Sequence, residues 1–244
     1  MAAMPARFNF DRVADVYEET RRLPPVVLDG LAEQMASVFE RGRVLDAGAG
    51  TGRYAEALAA RDLAVVGLDL SRQMLDRARA RGLGRLVQGE MIRLPFRDDA
   101  FDHAIAIHIL HLLPDWWAMI DEVVRVTHGF LATTREMREP DIHRWYDEKI
   151  GLADRTSPGI EEEDLAARVA PAVRFPRIVW REAMAAEAYL DLLGSKTFTS
   201  QWQVSDEAHA RAMADLRGEL AGKTFDSKRT WELLVWRVED LRAI

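Results

Sequence analysis

The feature that most constrains this chain is an apolar strand running straight into three closely spaced glycines: Val44-Leu45-Asp46-Ala47-Gly48-Ala49-Gly50-Thr51-Gly52. Glycine there allows positive φ and lets another group approach the backbone closely. Around this turn the chain alternates regularly. Strands at 43–47, 64–70, 85–88, 102–107 and 130–134 are separated by helices at 52–61, 71–81 and 115–126. Ser71 is placed to cap the second of these helices and Gly82 to stop it. The third turns Trp116, Ile120, Val123 and Val124 to one side. Apolar strands joined by helices pair in parallel and are covered on both faces. Right-handed crossovers make the result a doubly wound sheet whose ligand crevice lies at the carboxyl ends of the strands.

The flanks keep a different rhythm. Residues 8–22 read as one helix ended by Pro24-Pro25. A second helix follows, with Leu28, Leu31, Met35, Val38 and Phe39 on one face and Gly42 closing it. Beyond 139, helices at 141–150 and 161–169 are joined by the turn-rich Thr156-Ser157-Pro158-Gly159. Further helices are expected at 184–194 and 205–221, and strands at 177–181 and 231–238. The sheet then has seven strands and is mostly parallel, with helical insertions at about 139–170 and 184–225 over its C-terminal edge.

Composition narrows the chemistry. A chain of 244 residues, 48% of them hydrophobic, can bury a sizeable core. Its 40 acidic and 33 basic side chains leave a net charge of −7, which disfavours a nucleic-acid partner because phosphate binding needs clustered cations. The chain has no cysteine, which excludes disulfides, Cys-ligated zinc, iron–sulfur clusters and thiolate nucleophiles. No apolar run approaches the ~18 residues of a membrane span, and Met1 to Phe10 lack an apolar stretch of signal-peptide length. The expectation is a cytoplasmic protein with no membrane span.

A carboxylate, Asp69, ends the second strand Val65-Val66-Gly67-Leu68-Asp69, 19 residues past Gly50. An acid at that place can accept from both hydroxyls of an adenosine ribose. Two ligand classes fit glycines plus an acid. A dinucleotide site needs a third glycine where Arg53 stands, and its pyrophosphate would be repelled by Asp46. An aminoacyl nucleoside brings an ammonium that would bind Asp46 as its counter-ion. The triphosphate pattern G-x-x-x-x-G-K-[ST] does not occur. Asp46 favours the aminoacyl nucleoside.

The segment D-A-G-A-G-T-G, the strand-ending Asp69, and Gln88-Gly89-Glu90-Met91-Ile92-Arg93-Leu94-Pro95-Phe96 followed by Phe101-Asp102 resemble a class I S-adenosylmethionine-dependent methyltransferase. The resemblance is to the type 11 group, which includes ubiquinone/menaquinone-biosynthesis C-methyltransferases, and it covers roughly residues 40–134. It implies a Rossmann-like fold and S-adenosylmethionine as cofactor. By the same resemblance, Asp46, Gly48 and Gly50 would line the methionine part, Asp69 would bind the ribose and Leu70 would flank the adenine. Glu90, where the family usually has Asp, would accept from the adenine amino group, and Met91 would pack on the ring. Ile107 and His108 would approach the methionine end. Tyr17 and Arg21 resemble the family's Tyr/Arg lid, so residues 1–42 would form an N-terminal helical lid on a methyltransferase domain of 43–244. Thr127-His128-Gly129 replaces the usual K-P-G-G at a turn remote from the chemistry.

The implied activity is in-line methyl transfer to a small-molecule acceptor, with His108 as candidate base because histidine titrates near neutrality. Ile107-His108-Ile109-Leu110-His111 departs from the Asn/Asp-Pro-Pro-Tyr of exocyclic-amine methylases. His108 and His111 have no convincing third ligand, so no metal is expected. Trp145-Tyr146 and Phe198/Trp202 are candidates for the wall of an apolar acceptor pocket. Two rival readings remain at the level of sequence, a non-catalytic cofactor-binding or regulatory protein and a nicotinamide-dependent oxidoreductase.

Overall fold

In the computed structural model, which describes residues 9–152 and 158–242, the chain builds one mixed sheet between layers of helix. Five strands run parallel: β1 (Arg43–Ala47), β2 (Ala64–Asp69), β3 (Leu86–Gln88), β4 (Phe101–Ile105) and β5 (Thr127–Glu139). They are joined through α3 (Arg53–Ala59), α4 (Arg72–Ala80) and α5 (Trp116–Val126), following α1 (Tyr17–Thr20) and α2 (Pro25–Phe39) in the chain. The helices α6 (Ile142–Lys149) and α7 (Glu162–Arg168) come next. The short strand β6 (Val173–Arg174), the strand β7 (Ile178–Ala185), and the helices α8 (Ala186–Gly194) and α9 (Asp206–Leu220) lead to β8 (Thr224–Arg237) and α10 (Val238–Leu241).

The strand order β3-β2-β1-β4-β5-β8-β6, with β7 also on β8, confirms the mostly parallel, doubly wound reading. It also corrects the strand count and lengths. Position seven of the sheet is split. β6 pairs with Leu234 and Val235, and β7 pairs with 224–231 on the same neighbour. Pro176 sits between them and has no N–H for the ladder. β5 and β8 reach well past the expected 130–134 and 231–238, because they pair antiparallel from Phe130↔Arg237 to Glu139↔Lys228. Long-range pairing carries a charged segment that local propensity leaves as loop.

The crossovers from β1 run one way to β2 and β3, and β4 and β5 lie on the other side. The crevice of a doubly wound sheet therefore opens at the ends of β1 and β4. Strand alternation divides the core. Leu45 and Ala47 face a cluster with Met119, Ile120 and Val123 of α5. Val44 faces α2 and α3 through Leu31, Met35, Phe39 and Leu58. Ser71 caps α4 as expected, accepting from the Met74 N–H at 3.1 Å. His103, inside β4, is a packed core residue stacked between Phe39 and Phe130.

Two local expectations are revised. Residues 9–22 are not one helix but a 3₁₀ turn, Phe10–Val13, and the short α1, with a break at Val16 (φ −110°, ψ 3°). Isolated short helices are marginal, and this segment is instead tied to the termini of α3 and α4. The second helix ends on Glu40 at φ 49°, not on Gly42, whose Cβ position lies 2.7 Å from Asp102 Oδ2. Between β5 and β8, α6, α8 and α9 close a third core around Tyr146, Leu190, Leu193 and Leu216. Residues 156–157 of the expected 156–159 turn, and residues 1–8, lie outside the described residues. Among the described residues no helix is long and apolar enough to cross a membrane.

Candidate active site

The carboxyl end of β1 carries Asp46, 2% exposed in the crevice. One of its oxygens, Oδ2, has no hydrogen-bond partner among the described residues. Burial, and secondarily the neighbouring charge of Asp69, push its carboxyl up to about 7. The glycine turn that follows divides its labour. A Cβ on Gly48 (φ +86°) would stand 2.6 Å from Ile109 Cγ1, so its missing side chain serves packing within the protein. Gly50 (φ +54°) faces open space and leaves backbone available to a ligand.

β2 ends one strand away, in register with β1 through Ala47↔Leu68, and presents Asp69 beside the turn. Its Oδ2 accepts from the Gly50 N–H at 2.8 Å and its Oδ1 from the Ser71 N–H at 2.8 Å. Burial raises its carboxyl, and these amide bonds partly oppose the rise. A carboxylate offers about four lone-pair directions, so the two amides leave room for two further donors.

The sequence-derived residues fall into two cavities. Asp46, Gly48, Gly50, Ile107, His108, Tyr17 and Arg21 line the larger. Asp69, Leu70, Glu90 and Met91 line the smaller, with Ile92 and Ile109. Phe10 and Leu112 belong to both walls, so the two cavities adjoin. The N-terminal segment covers them. Asp11 accepts from Ser71 Oγ and the Gln73 N–H, and Glu18 meets Thr51 Oγ1, Arg53 (3.0 Å) and Arg81 (3.1 Å). Arg21 lies 3.9 Å over the Phe198 ring and donates to the Thr197 carbonyl at 3.1 Å.

His108 sits at φ 57° in the wall beyond β4. Burial pulls its imidazole down to about 4, although Glu136 nearby favours the charged form, so the free ring is neutral at pH 7. His111 lines the same cavity and is also lowered by burial. Among the described residues, no group of three or more His, Asp or Glu is placed to hold a metal ion.

Several lining residues escape the sequence reading: Thr51, Arg53, Tyr54, Glu136, Arg138 and Arg229. Glu136 and Arg138 lie on the extension of β5, and Arg138 stands directly opposite Arg229 of β8. One oxygen, Glu136 Oε1, accepts from Arg138 (Nε 3.1 Å, Nη2 3.0 Å) and Arg229 (Nε 2.9 Å, Nη2 2.9 Å). The available signal was period-two spacing in Arg135-Glu136-Met137-Arg138, which continues a strand and puts 136 and 138 on one face. Of the aromatic candidates only Phe198 reaches this cavity. Tyr146 is fully buried with its hydroxyl on His209 Nδ1 (2.7 Å), Trp145 packs on Phe225, and Trp202 packs on Phe10 and under Arg12.

Residues 45–130 match the methyltransferase domain family of type 11. A demethylmenaquinone methyltransferase of Geobacillus kaustophilus (strain HTA426) is 36% identical over 110 residues, 41% of this chain and 47% of that protein. The chain thus spans about half the length of that relative. An uncharacterized methyltransferase of Mycobacterium tuberculosis (strain ATCC 25618 / H37Rv) is 29% identical over 206 residues, 80% of each chain. Residues 45–130 thus form a class I S-adenosylmethionine-dependent methyltransferase domain of the type 11 group. The fold agrees: a candidate methyltransferase from Bacillus halodurans C-125 superposes with a TM-score of 0.55 at 18% identity, covering 85% of this chain and 96% of that one. The cavities of this type 11 methyltransferase also suit the family's cofactor. An unpartnered buried carboxylate oxygen matches an ammonium, and Asp69 with two spare acceptor directions matches a ribose diol.

Proposed function

We propose that this chain transfers a methyl group from S-adenosylmethionine to a small-molecule acceptor. The observation that carries the reading is Asp46, a buried carboxylate with one oxygen unpartnered among the described residues, at the head of the glycine turn. A buried charge without a partner is costly, so this oxygen is best explained by a cationic ligand group. In this reading Asp46, Gly48 and Gly50 hold the methionine part, Asp69 the ribose, and Leu70, Glu90 and Met91 the adenine. Tyr17 and Arg21 close over the cavity as a lid, and Ile107 and His108 adjoin the methionine end. The relative named as a demethylmenaquinone methyltransferase lends support to a small-molecule acceptor.

When bound, S-adenosylmethionine supplies a methyl group already activated by its sulfonium. The chain's own part is to orient the acceptor and keep water out. Alignment of this kind can contribute ~7–11 kcal/mol toward the barrier. Phe10, Tyr17, Leu112 and Phe198 provide apolar wall for that purpose. For an acceptor that must lose a proton, neutral His108 can take it at a ring nitrogen, and the nearby Glu136 carboxylate favours the resulting imidazolium.

The test is calorimetric titration with S-adenosylhomocysteine and with NAD, followed by transfer of labelled methyl from S-adenosylmethionine across a panel of small acceptors. Binding of S-adenosylhomocysteine and labelling of an acceptor is the expected outcome. Binding without transfer to any acceptor would make the protein a non-catalytic cofactor binder, and binding of NAD alone would overturn the cofactor assignment.

A further inference from the structure

The cavity carries more cation than its cofactor needs. Arg21, Arg53, Arg138 and Arg229 line it against two carboxylates, Asp46 and Glu136. Arg53 is neutralised from outside by Glu18 at 3.0 Å, and in the reading above Asp46 is taken by the ammonium. S-adenosylmethionine also brings a sulfonium and one carboxylate. Even if Arg21 is matched to that carboxylate, two guanidiniums and a sulfonium remain against Glu136 alone.

The geometry locates the surplus. Arg138 and Arg229 are direct cross-strand partners on β5 and β8, a like-charge pairing that disfavours the sheet. Both converge on one oxygen of Glu136. A guanidinium has five N–H donors. Arg138 directs two to Glu136 and one, at a long 3.4 Å, to the Tyr189 hydroxyl, so it keeps donors for another acceptor. Arg21, which lines the same cavity, has a buried Nη1 with no partner among the described residues. Its field reaches Arg138 and Glu136. Two partly unsatisfied guanidiniums lining one cavity offer donors to a planar anion.

We infer that the methyl acceptor is a small carboxylate, held by Arg138 with Arg21 facing it. This rests on the cofactor reading above, which places the ammonium on Asp46 and leaves the β5–β8 wall to the acceptor. Anion binding there completes the donors of Arg138, offsets the like-charge pairing with Arg229, and places a negative group where a sulfonium adds positive potential.

Protein saturated with S-adenosylhomocysteine is titrated calorimetrically with acetate, benzoate and phenylacetate, and in parallel with acetamide, benzamide and phenylacetamide. At least one acid should bind about tenfold or more tightly than its amide, the scale of one or two charge-assisted hydrogen bonds. Arg138→Gln should abolish that preference and Arg138→Lys should restore part of it. Acids bound no better than amides by the wild-type protein, or a preference unchanged in Arg138→Gln, would overturn the inference. The wild-type comparison stands even if the Gln variant fails to fold. S-adenosylhomocysteine affinity is measured first, so a failed cofactor reading shows as no binding at that step, distinct from loss of acid preference.

Discussion

Replacing or titrating Asp46 should separate its cost to the fold from its use in binding. Its carboxyl stands at about 7 in the free protein, raised chiefly by burial and then by Asp69. An ammonium against the unpartnered oxygen would hold the bound form ionised, so below pH 7 binding must first remove a proton. S-adenosylhomocysteine affinity should therefore fall about tenfold per pH unit below 7 and level off above 8. Near pH 7 the complex should release about half a proton. Calorimetry in buffers of different ionisation enthalpy, at pH 6, 7 and 8, reads both quantities. The fold responds with the opposite sign. The folded carboxyl lies above its ordinary value of 3.8, so the folded state binds more protons, and stability present at pH below 4 is lost as pH rises through 7. The rise corresponds to at most ~4 kcal/mol above pH 7. Asp46→Asn should consequently melt higher than wild type at pH 8 without ligand, yet bind S-adenosylhomocysteine about 10–100-fold more weakly and without the pH dependence. Affinity that is flat from pH 6 to 8 with no proton release would refute a buried carboxylate facing an ammonium.

Asp69→Ala removes the acceptor of the Gly50 and Ser71 amides as well as the proposed ribose contact, and should weaken S-adenosylhomocysteine binding about tenfold or more by calorimetry. Unchanged affinity would remove Asp69 from the site. Gly48→Ala should lower the melting temperature more than Gly50→Ala. The first drives a Cβ to 2.6 Å from Ile109, at an overpacking cost of ~1–3 kcal/mol, whereas the second meets open space and bears only the strain of positive φ. The reverse order in thermal melts would contradict the packing described. Because burial lowers His108 to about 4, kcat at saturating cofactor should show no acid limb from this ring between pH 5.5 and 7. A limb in that range that vanishes in His108→Asn would show the imidazole to be charged more readily than its surroundings indicate.

The two acids read from sequence, Asp46 and Asp69, sit at the ends of neighbouring parallel strands in a single β–α–β unit. Asp46 and Asp69 meet because β1 and β2 pair in the simplest register, Arg43↔Ala64 to Ala47↔Leu68, and the turn between β1 and α3 is short. Local pattern is then enough to place them side by side. The N-terminal segment shows the limit of such reading. Tyr17 and Arg21 do line the cavity, yet the continuous helix expected to carry them is broken, because bonds from Asp11 and Glu18 to α4 and α3 decide its path.

Order and spacing in the chain alone therefore specified the doubly wound sheet, the glycine turn and the two acids beside it, since each depends on contacts between adjacent elements. Only the tertiary structure decided the far wall. Glu136 and Arg138 join Arg229 because β5 and β8 pair across some ninety residues of sequence, and the residue opposite Arg138 is fixed by that register rather than by any local preference. The energy of a cross-strand neighbour is absent from a one-dimensional pattern. The charge on the far wall of the cavity is set by that long-range register.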